Sequence, residues 1–408
     1  MFKIKNCRFC KSKKLKDVIN LGFQSLTGVF HRKKNAKISR GPLVVTLCRE
    51  CSLLQLRHSF DLEEMYGENY GYRSSLNSSM VSHLKNKSIN LKRKYNIKQS
   101  DYIIDIGSND GTFLNFFKSY KKLIGVDPTI KKFKKFYNKN ILQVGDFFPS
   151  KKIFEELNEN KVKLITSISM FYDLENPLDF VRSISQILDK NGVWHFEQSY
   201  MPFMLKKNSY DTICHEHLEY YSLTVVKKIL KKANLKILDV EFNDINGGSF
   251  AVTATHIKST MKPNNKIIDW LLKEEKKMNL SKINVYKDFQ EKILRHKKSL
   301  LDLLIKLKKN NKIVSGLGAS TKGNVILQYC GIKNKLLKNI YEINKDKFNK
   351  FTPGTNIKIL SDKKIKKKNC DYLLVLPWHF KDHIIKNEKK LLHLGIKLIF
   401  PLPQIEIV

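Results

Sequence analysis

No stretch of eighteen or more uncharged apolar residues occurs in this 408-residue chain, so no transmembrane helix is expected. The N-terminal stretch MFKIKNCRFCKSKK is basic, but it lacks an apolar core and a small-residue cleavage site. No signal peptide is therefore expected, and the cytoplasm is the expected compartment. A solenoid-type repeat and a low-complexity tail are also missing. Arginine-rich stripes are missing too. The formal charge is +38, from 76 basic and 38 acidic residues, and lysine spread along the whole chain supplies most of it. That spread, beside abundant Asn and Ile, fits codon bias in an AT-rich genome. A nucleic-acid binder more often concentrates its basic groups on one stripe or face. Nucleic acid is thus not an expected partner, although the excess charge would attract a diphosphate at low salt. Seven cysteines are a poor disulfide framework for a long, apparently cytoplasmic chain.

What is present is globular: 42% hydrophobic and 28% charged residues. The length implies two or three domains. Residues 1–75 carry two CxxC pairs, a Gly-Pro at 41–42 and a strand-like run at 43–47. A helix over 78–95 leads into a strand–turn–helix rhythm. Strands are expected at 102–106, 123–126, 141–144, 163–167 and 193–197, with helices opening at 112 and spanning 131–137 and 177–188. That alternation implies a parallel sheet covered by helices, placed at 76–255. Residues 256–304 read as amphipathic helices, with Ile267, Leu271 and Leu272, then Ile293, Leu300, Leu303 and Leu304 at helical spacing. A second α/β unit follows at 305–408, with strands at 312–315, 336–341 and 372–376 and a helix at 321–328.

Four constellations carry chemistry. Cys7, Cys10, Cys48 and Cys51 form two CxxC turns, which together complete a tetrahedral thiolate shell for a structural zinc. Asp105, Gly107, Asn109 and Gly111 lie in DIGSNDG, directly after a strand. Asp127 ends the next strand, about twenty residues after that turn, where an acid accepts both ribose hydroxyls. DxGxxxG lacks the diphosphate cradle of GxGxxG and points to S-adenosylmethionine (SAM). Asp146 and Phe147 add a polar contact and an aromatic wall for adenine. The third constellation is YDTICHEHLEYYS, with Cys214, His215, Glu216 and His217. A histidine there can remove a proton, and a nearby carboxylate can orient it and raise its basicity. A metal site and a satisfied structural cluster are the alternatives. The fourth is GLGASTKGN, with Ser320, Lys322 and Asn324, which suits an anion at a helix N-terminus or a packing turn.

These motifs together resemble the sugar C-methyltransferase family, which acts on nucleotide-linked 4-keto deoxysugars. The resemblance spans nearly the whole chain. It runs through CRFC, LCRECSLLQL, NYGYRSS, DIGSNDGTFL, MFYDLENP, WHFEQSYM, YDTICHEHLEYYS, GLGASTKGN, PGT and LPWHF. It implies an α/β protein: a Rossmann-like SAM methyltransferase domain between a small N-terminal zinc-binding domain and a C-terminal α/β domain facing a sugar nucleotide. The active site lies where the three meet, and a monomer is expected. By resemblance His217 is the general base, Glu216 supports it, and Tyr72, with Tyr70 as runner-up, faces the sugar. His215, Ser320, Lys322 and Asn324 are the further substrate candidates.

One departure stands out. Members of the family carry a tyrosine immediately before HEH, and this chain has Cys214. The shorter, weaker donor leaves transfer to oxygen or nitrogen as an alternative to carbon. An RNA methyltransferase with a zinc ribbon is the other alternative.

Overall fold

The computed structural model describes residues 1–34, 36–66 and 72–408. The sequence candidate Tyr70 lies outside the described residues. Among them, three large sheets organise the chain, of four, seven and six strands.

The central sheet has seven strands. In chain order they are Tyr102–Ile106, Lys122–Val126, Ile141–Val144, Val162–Ile168, Leu188–Ser199, Leu235–Asn243 and Ser249–His256. In space they lie 6-7-5-4-1-2-3. The first five run parallel, and Ser249–His256 is antiparallel to both its neighbours. Ile103, Ile104 and Ile106 are all buried, as expected of a strand covered on both faces. The strand order reverses between Tyr102–Ile106 and Val162–Ile168, which opens a crevice at their carboxyl ends. Helix Pro177–Ile187 starts on a proline, whose missing N–H is no loss there, and buries Phe180, Val181, Ile184 and Ile187 along one stripe. Helix Ser78–Lys94 is capped by Asn77, whose side chain accepts from the Ser79 and Met80 amides.

Several local expectations shorten. Residues 114–117 form a 3-10 turn, and 131–137 splits into a short helix and a 3-10 turn. Of the strand expected at 336–341, only Ile340–Glu342 is present. The sequence reading missed the antiparallel pair Leu235–Asn243 and Ser249–His256, as well as helix Leu223–Lys232. Their signals were there. Phe250, Val252 and Ala254 alternate in a run that suits a strand, and Ser222 caps a helix that buries Val226, Ile229 and Leu230.

The N-terminal sheet pairs Leu15–Ser25, Arg40–Cys48 and Leu54–Leu56, and its outer strand is Glu219–Tyr220. The tail of the HEH segment therefore belongs to the zinc-domain sheet, far from its neighbours in sequence. Helix Ile283–Lys309 buries Tyr286, Phe289, Ile293, Leu300 and Leu304 in a core shared by the N-terminal and C-terminal sheets. The C-terminal sheet centres on Val314–Leu317 and Tyr372–Val375, parallel to one another. Among the described residues no helix is long and apolar enough to cross a membrane.

Candidate active site and metal centre

Two matching turns build the metal centre. The Lys11 amide donates to the Cys7 carbonyl and the Ser52 amide to the Cys48 carbonyl, both at 3.0 Å. Lys11 and Ser52 take left-handed conformations that close the turns. The four sulfurs lie within 4.8 Å of one another. Cys7 and Cys51 are 3.6 Å apart, and Cys10 and Cys48 are 3.5 Å apart. Four converging sulfurs, with no fifth donor among the described residues, fit a closed zinc site. The Gln55 side-chain amide donates to Cys7 Sγ at 3.2 Å, a hydrogen bond that favours the thiolate.

The candidate active site is a cleft of about 630 Å³ at the carboxyl edge of the central sheet. Asp105, Gly107, Asn109, Asp127, Asp146 and Phe147 line one wall. The Asp127 carboxylate accepts from the Asn109 amide at 2.9 Å and the Thr129 amide at 2.7 Å, which fixes it at the strand end. Asp105 accepts from the Thr166 hydroxyl at 2.7 Å, and burial pushes its carboxyl up to about 7. Acidic groups and a half-exposed Phe147 fit SAM, which is cationic at its sulfonium and carries ribose hydroxyls and an adenine ring.

Two members of this loop do other work. Gly111 does not line the cleft. A Cβ there would meet the Tyr137 ring at 2.7 Å, so its bare backbone makes room for Tyr137 and not for a ligand. The Tyr137 hydroxyl in turn donates to the Asn109 carbonyl at 2.9 Å. Asn109 lines the cleft, but its side chain is engaged: its oxygen accepts from the Ser74 amide at 3.0 Å and its nitrogen donates to the Tyr72 carbonyl at 3.4 Å. The loop thus anchors the segment that presents Tyr72 to the cleft.

The opposite wall comes from YDTICHEHLEYYS and the C-terminal domain. His217, Cys214, Glu216, Ser320 and Lys322 line it. His217 Nδ1 lies 2.7 Å from the Thr212 carbonyl. A carbonyl only accepts, so Nδ1 carries the hydrogen and Nε2 is the free basic atom. The Tyr172 ring packs against the imidazole at a centroid distance of 4.2 Å. Burial, and then the Lys322 ammonium, hold the His217 pKa down to about 3. Lys322 Nζ donates to the Asn246 carbonyl at 2.8 Å.

Three expectations for this wall are corrected. Glu216 does not orient His217. It accepts from the Thr27 hydroxyl at 3.3 Å, beside Cys214, because a loop of the N-terminal domain fills the space around it. His215 does not reach the cleft. Neighbouring residues of this tight segment turn opposite ways, and His215 packs edge-on against Phe60, with burial holding its pKa down to about 4. Asn324 does not reach the cleft either: its amide donates to the Thr27 carbonyl at 2.7 Å, which ties the C-terminal helix to the N-terminal domain.

The sequence reading passed over other groups at the site. Tyr172 and Asp173 lie in MFYDLENP, and His379 lies in LPWHF; these stretches were noted without roles for those residues. Lys347 and Asn246 line the cleft with no motif to mark them. Arg8, between the two cysteines of the first turn, donates to Glu175 at the cleft rim at 3.2 Å.

Three family models match successive parts of the chain: a zinc binding domain over 7–66, a methyltransferase domain over 82–240 and a C-methyltransferase C-terminal domain over 244–403. C-methyltransferase NovU of Streptomyces niveus is 26% identical over 410 residues, covering 99% of this chain and 97% of that protein. Two solved structures match the central region. An S-adenosylmethionine-dependent methyltransferase from Clostridium acetobutylicum ATCC 824 is 13% identical over 43% of this chain and 92% of its own, with a TM-score of 0.35. Magnesium protoporphyrin IX methyltransferase from Synechocystis PCC 6803, with bound SAM, is 10% identical over 43% of this chain and 79% of its own, with a TM-score of 0.32.

Proposed function

We propose that this chain, a SAM-dependent, zinc-binding methyltransferase that belongs to the C-methyltransferase family whose three domains it carries in order, methylates a carbon beside the keto group of a nucleotide-linked deoxysugar.

The observation that carries the substrate class is the division of charge across one cleft. Asp105, Asp127 and Asp146 line the methyltransferase side; the Lys322 and Lys347 ammonium groups line the C-terminal side, where burial keeps the neighbouring His379 neutral. A cationic methyl donor suits the first wall and a nucleoside diphosphate the second, and the field of each wall disfavours the reverse arrangement. Lys322 is buried enough that its ammonium is partly desolvated, which strengthens its pull on an anion.

When bound, SAM supplies a methyl group on a sulfonium centre. The chain's own residues prepare the carbon that accepts it. His217, neutral at physiological pH, takes the proton at Nε2 as the C–H bond breaks. The electron pair delocalises onto the keto oxygen, where Lys322 or the Tyr72 hydroxyl stabilises the negative charge. Burial first, and the Lys322 ammonium second, make the ring a weak base in the free enzyme. The arriving diphosphate and the developing enolate offset that charge, so basicity rises as the proton moves. Thr212 holds the ring in the competent tautomer throughout.

The reading is tested with 13C-methyl SAM and a panel of nucleoside-diphosphate 4-keto-6-deoxyhexoses. NMR of the product is expected to show the label on carbon, coupled to the ring. Label on oxygen or nitrogen would return the reaction to the alternatives raised by Cys214, and methylation of RNA in place of any sugar would overturn the substrate class.

A further inference from the structure

Behind His217, on the side away from the main cleft, lies a second cavity of about 10 Å³. Its wall includes His217, Thr212, Tyr172, Ser199, Glu219 and Tyr220. The polar atoms there are unusual. Both carboxyl oxygens of Glu219, the Tyr220 hydroxyl and the Ser199 hydroxyl are buried, and none has a hydrogen-bond partner among the described residues. Glu219 is 2% exposed and Tyr220 is 3% exposed. The nearest cation is Arg8, whose Nε lies 3.8 Å from Glu219 Oε1, too far for a direct hydrogen bond. That same Nε donates to Glu175, and the other guanidinium nitrogens donate to the Leu56 and His58 carbonyls and the Ser59 hydroxyl.

Orphan polar groups of this kind destabilise the fold unless something pairs them. A cavity of about one probe sphere with two to four polar partners is what one buried water needs. Glu219, Tyr220 and Ser199 supply three such partners. The His217 imidazole and the Tyr172 ring packed against it line both this cavity and the substrate cleft.

We propose that Glu219 is a positioning residue for His217, acting through a single water held in this cavity by Glu219, Tyr220 and Ser199. The inference rests on the reading of His217 as the base. When His217 takes a proton, a positive charge forms in a buried place whose one direct partner is a carbonyl. The bound water and the Glu219 carboxyl supply a polar backing on the far face of the ring, already in place before reaction. Arg8 holds the carboxyl from behind. It stands between two zinc ligands, so the metal centre sets the position of Glu219 without touching substrate.

Two measurements test this. A crystal structure of the full zinc-loaded chain at high resolution is expected to show one water within hydrogen-bond distance of Glu219, Tyr220 and Ser199. A dry cavity overturns the proposal. Burial pushes the Glu219 carboxyl well above the usual range, so it stands protonated; Glu219→Gln, which keeps the shape and replaces that carboxyl with an amide, is expected to lower kcat tenfold or more on the panel sugar that the enzyme turns over. KM and SAM affinity should stay within twofold. The rate at which the substrate C–H exchanges with deuterated water, with S-adenosylhomocysteine bound, should fall in parallel. An unchanged kcat overturns the proposal, as does a loss that appears only in KM. If Glu219→Gln does not fold, Tyr220→Phe removes one ligand of the same water and should lower the exchange rate in the same selective way; wild-type exchange in that variant overturns the proposal. An active His217→Asn enzyme would instead defeat the underlying reading, whatever Glu219 does.

Discussion

The hydroxyl of Thr27 reaches across 189 residues of sequence to the Glu216 carboxylate, 3.3 Å away. The zinc domain is therefore a wall of the active site as well as a folding unit. Its neighbour Gly28 is as close: a Cβ there would stand 2.5 Å from Glu216 Oε1.

Gly28→Ala is accordingly expected to displace the Glu216 carboxylate without disturbing either binding motif. Pushed away from Thr27, the carboxylate intrudes on the cleft that it lines, so kcat is expected to fall on the order of tenfold through misplacement of the substrate. Zinc content and SAM affinity should be unchanged. Steady-state kinetics beside calorimetry and elemental analysis check this, and a wild-type kcat would show that Glu216 has no part in the chemistry.

Cys48→Ser breaks the four-thiolate shell. A closed zinc site contributes folding free energy outright, so the variant is expected to lose zinc and solubility together. Full zinc retention in soluble protein, by elemental analysis, would refute the assignment of ligands.

Asp127→Ala removes the carboxylate that the Asn109 and Thr129 amides hold at the strand end. Hydrogen bonds to a charged group are worth about 1.5–3 kcal/mol, so SAM affinity should fall by about tenfold to over a hundredfold. Calorimetry that finds unchanged affinity would take Asp127 out of the cofactor site.

Asp105 predicts a pH dependence with a definite sign. Burial, with Asp127 adding to it and the Thr166 hydroxyl opposing, raises its pKa from 3.8 to about 7. The folded chain binds the proton more tightly than the unfolded one. Asp105 therefore costs no stability below the unfolded value, and its cost grows as pH rises toward 7. A cationic cofactor favours the carboxylate, so SAM binding should release a proton below about pH 7, and affinity should rise with pH to a plateau. Calorimetry in two buffers of different ionisation enthalpy measures the proton. Asp105→Asn should abolish the release; equal release in the variant would assign it to another group.

His217→Asn separates the base from the binding groups. With the keto sugar nucleotide and S-adenosylhomocysteine in deuterated water, the wild-type enzyme is expected to exchange one ring C–H. The variant should lose exchange and methyl transfer while both ligands still bind, the pattern of a group needed only in the transition state. An active variant would remove His217 from the mechanism.

Much of this was legible along the chain, where the chemistry depends on near neighbours. A CxxC turn brings two sulfurs together by itself. DIGSNDG follows a strand whose apolar run fixes its burial, and Asp127 ends the next strand, so both reach the same sheet edge. The βα rhythm led to an expected domain at 76–255; the strands of the central sheet run from Tyr102 to His256. The rhythm did not reveal that Ser249–His256 runs backwards, because alternation states which face a residue takes but not the direction of the strand.

Other assignments turned on which distant segments meet. From HEH alone, Glu216 looked like the partner of His217 and His215 like its equal. In the folded chain Thr212 orients His217, Thr27 and Gly28 enclose Glu216, and Phe60 covers His215. Asn324 sits in a motif that suits anions, yet a carbonyl 297 residues away takes its amide. Arg8 reads as one basic residue among many until Glu175 and Glu219 close around it. Local spacing was enough to bring the four cysteines and the DIGSNDG turn to their places, because covalent neighbours bring those atoms together. The surroundings of His217, Glu216 and His215 were decided by packing among three sheets. A buried polar group must pair with whatever the fold places beside it, and for Glu216 and Asn324 those partners lie 189 and 297 residues away.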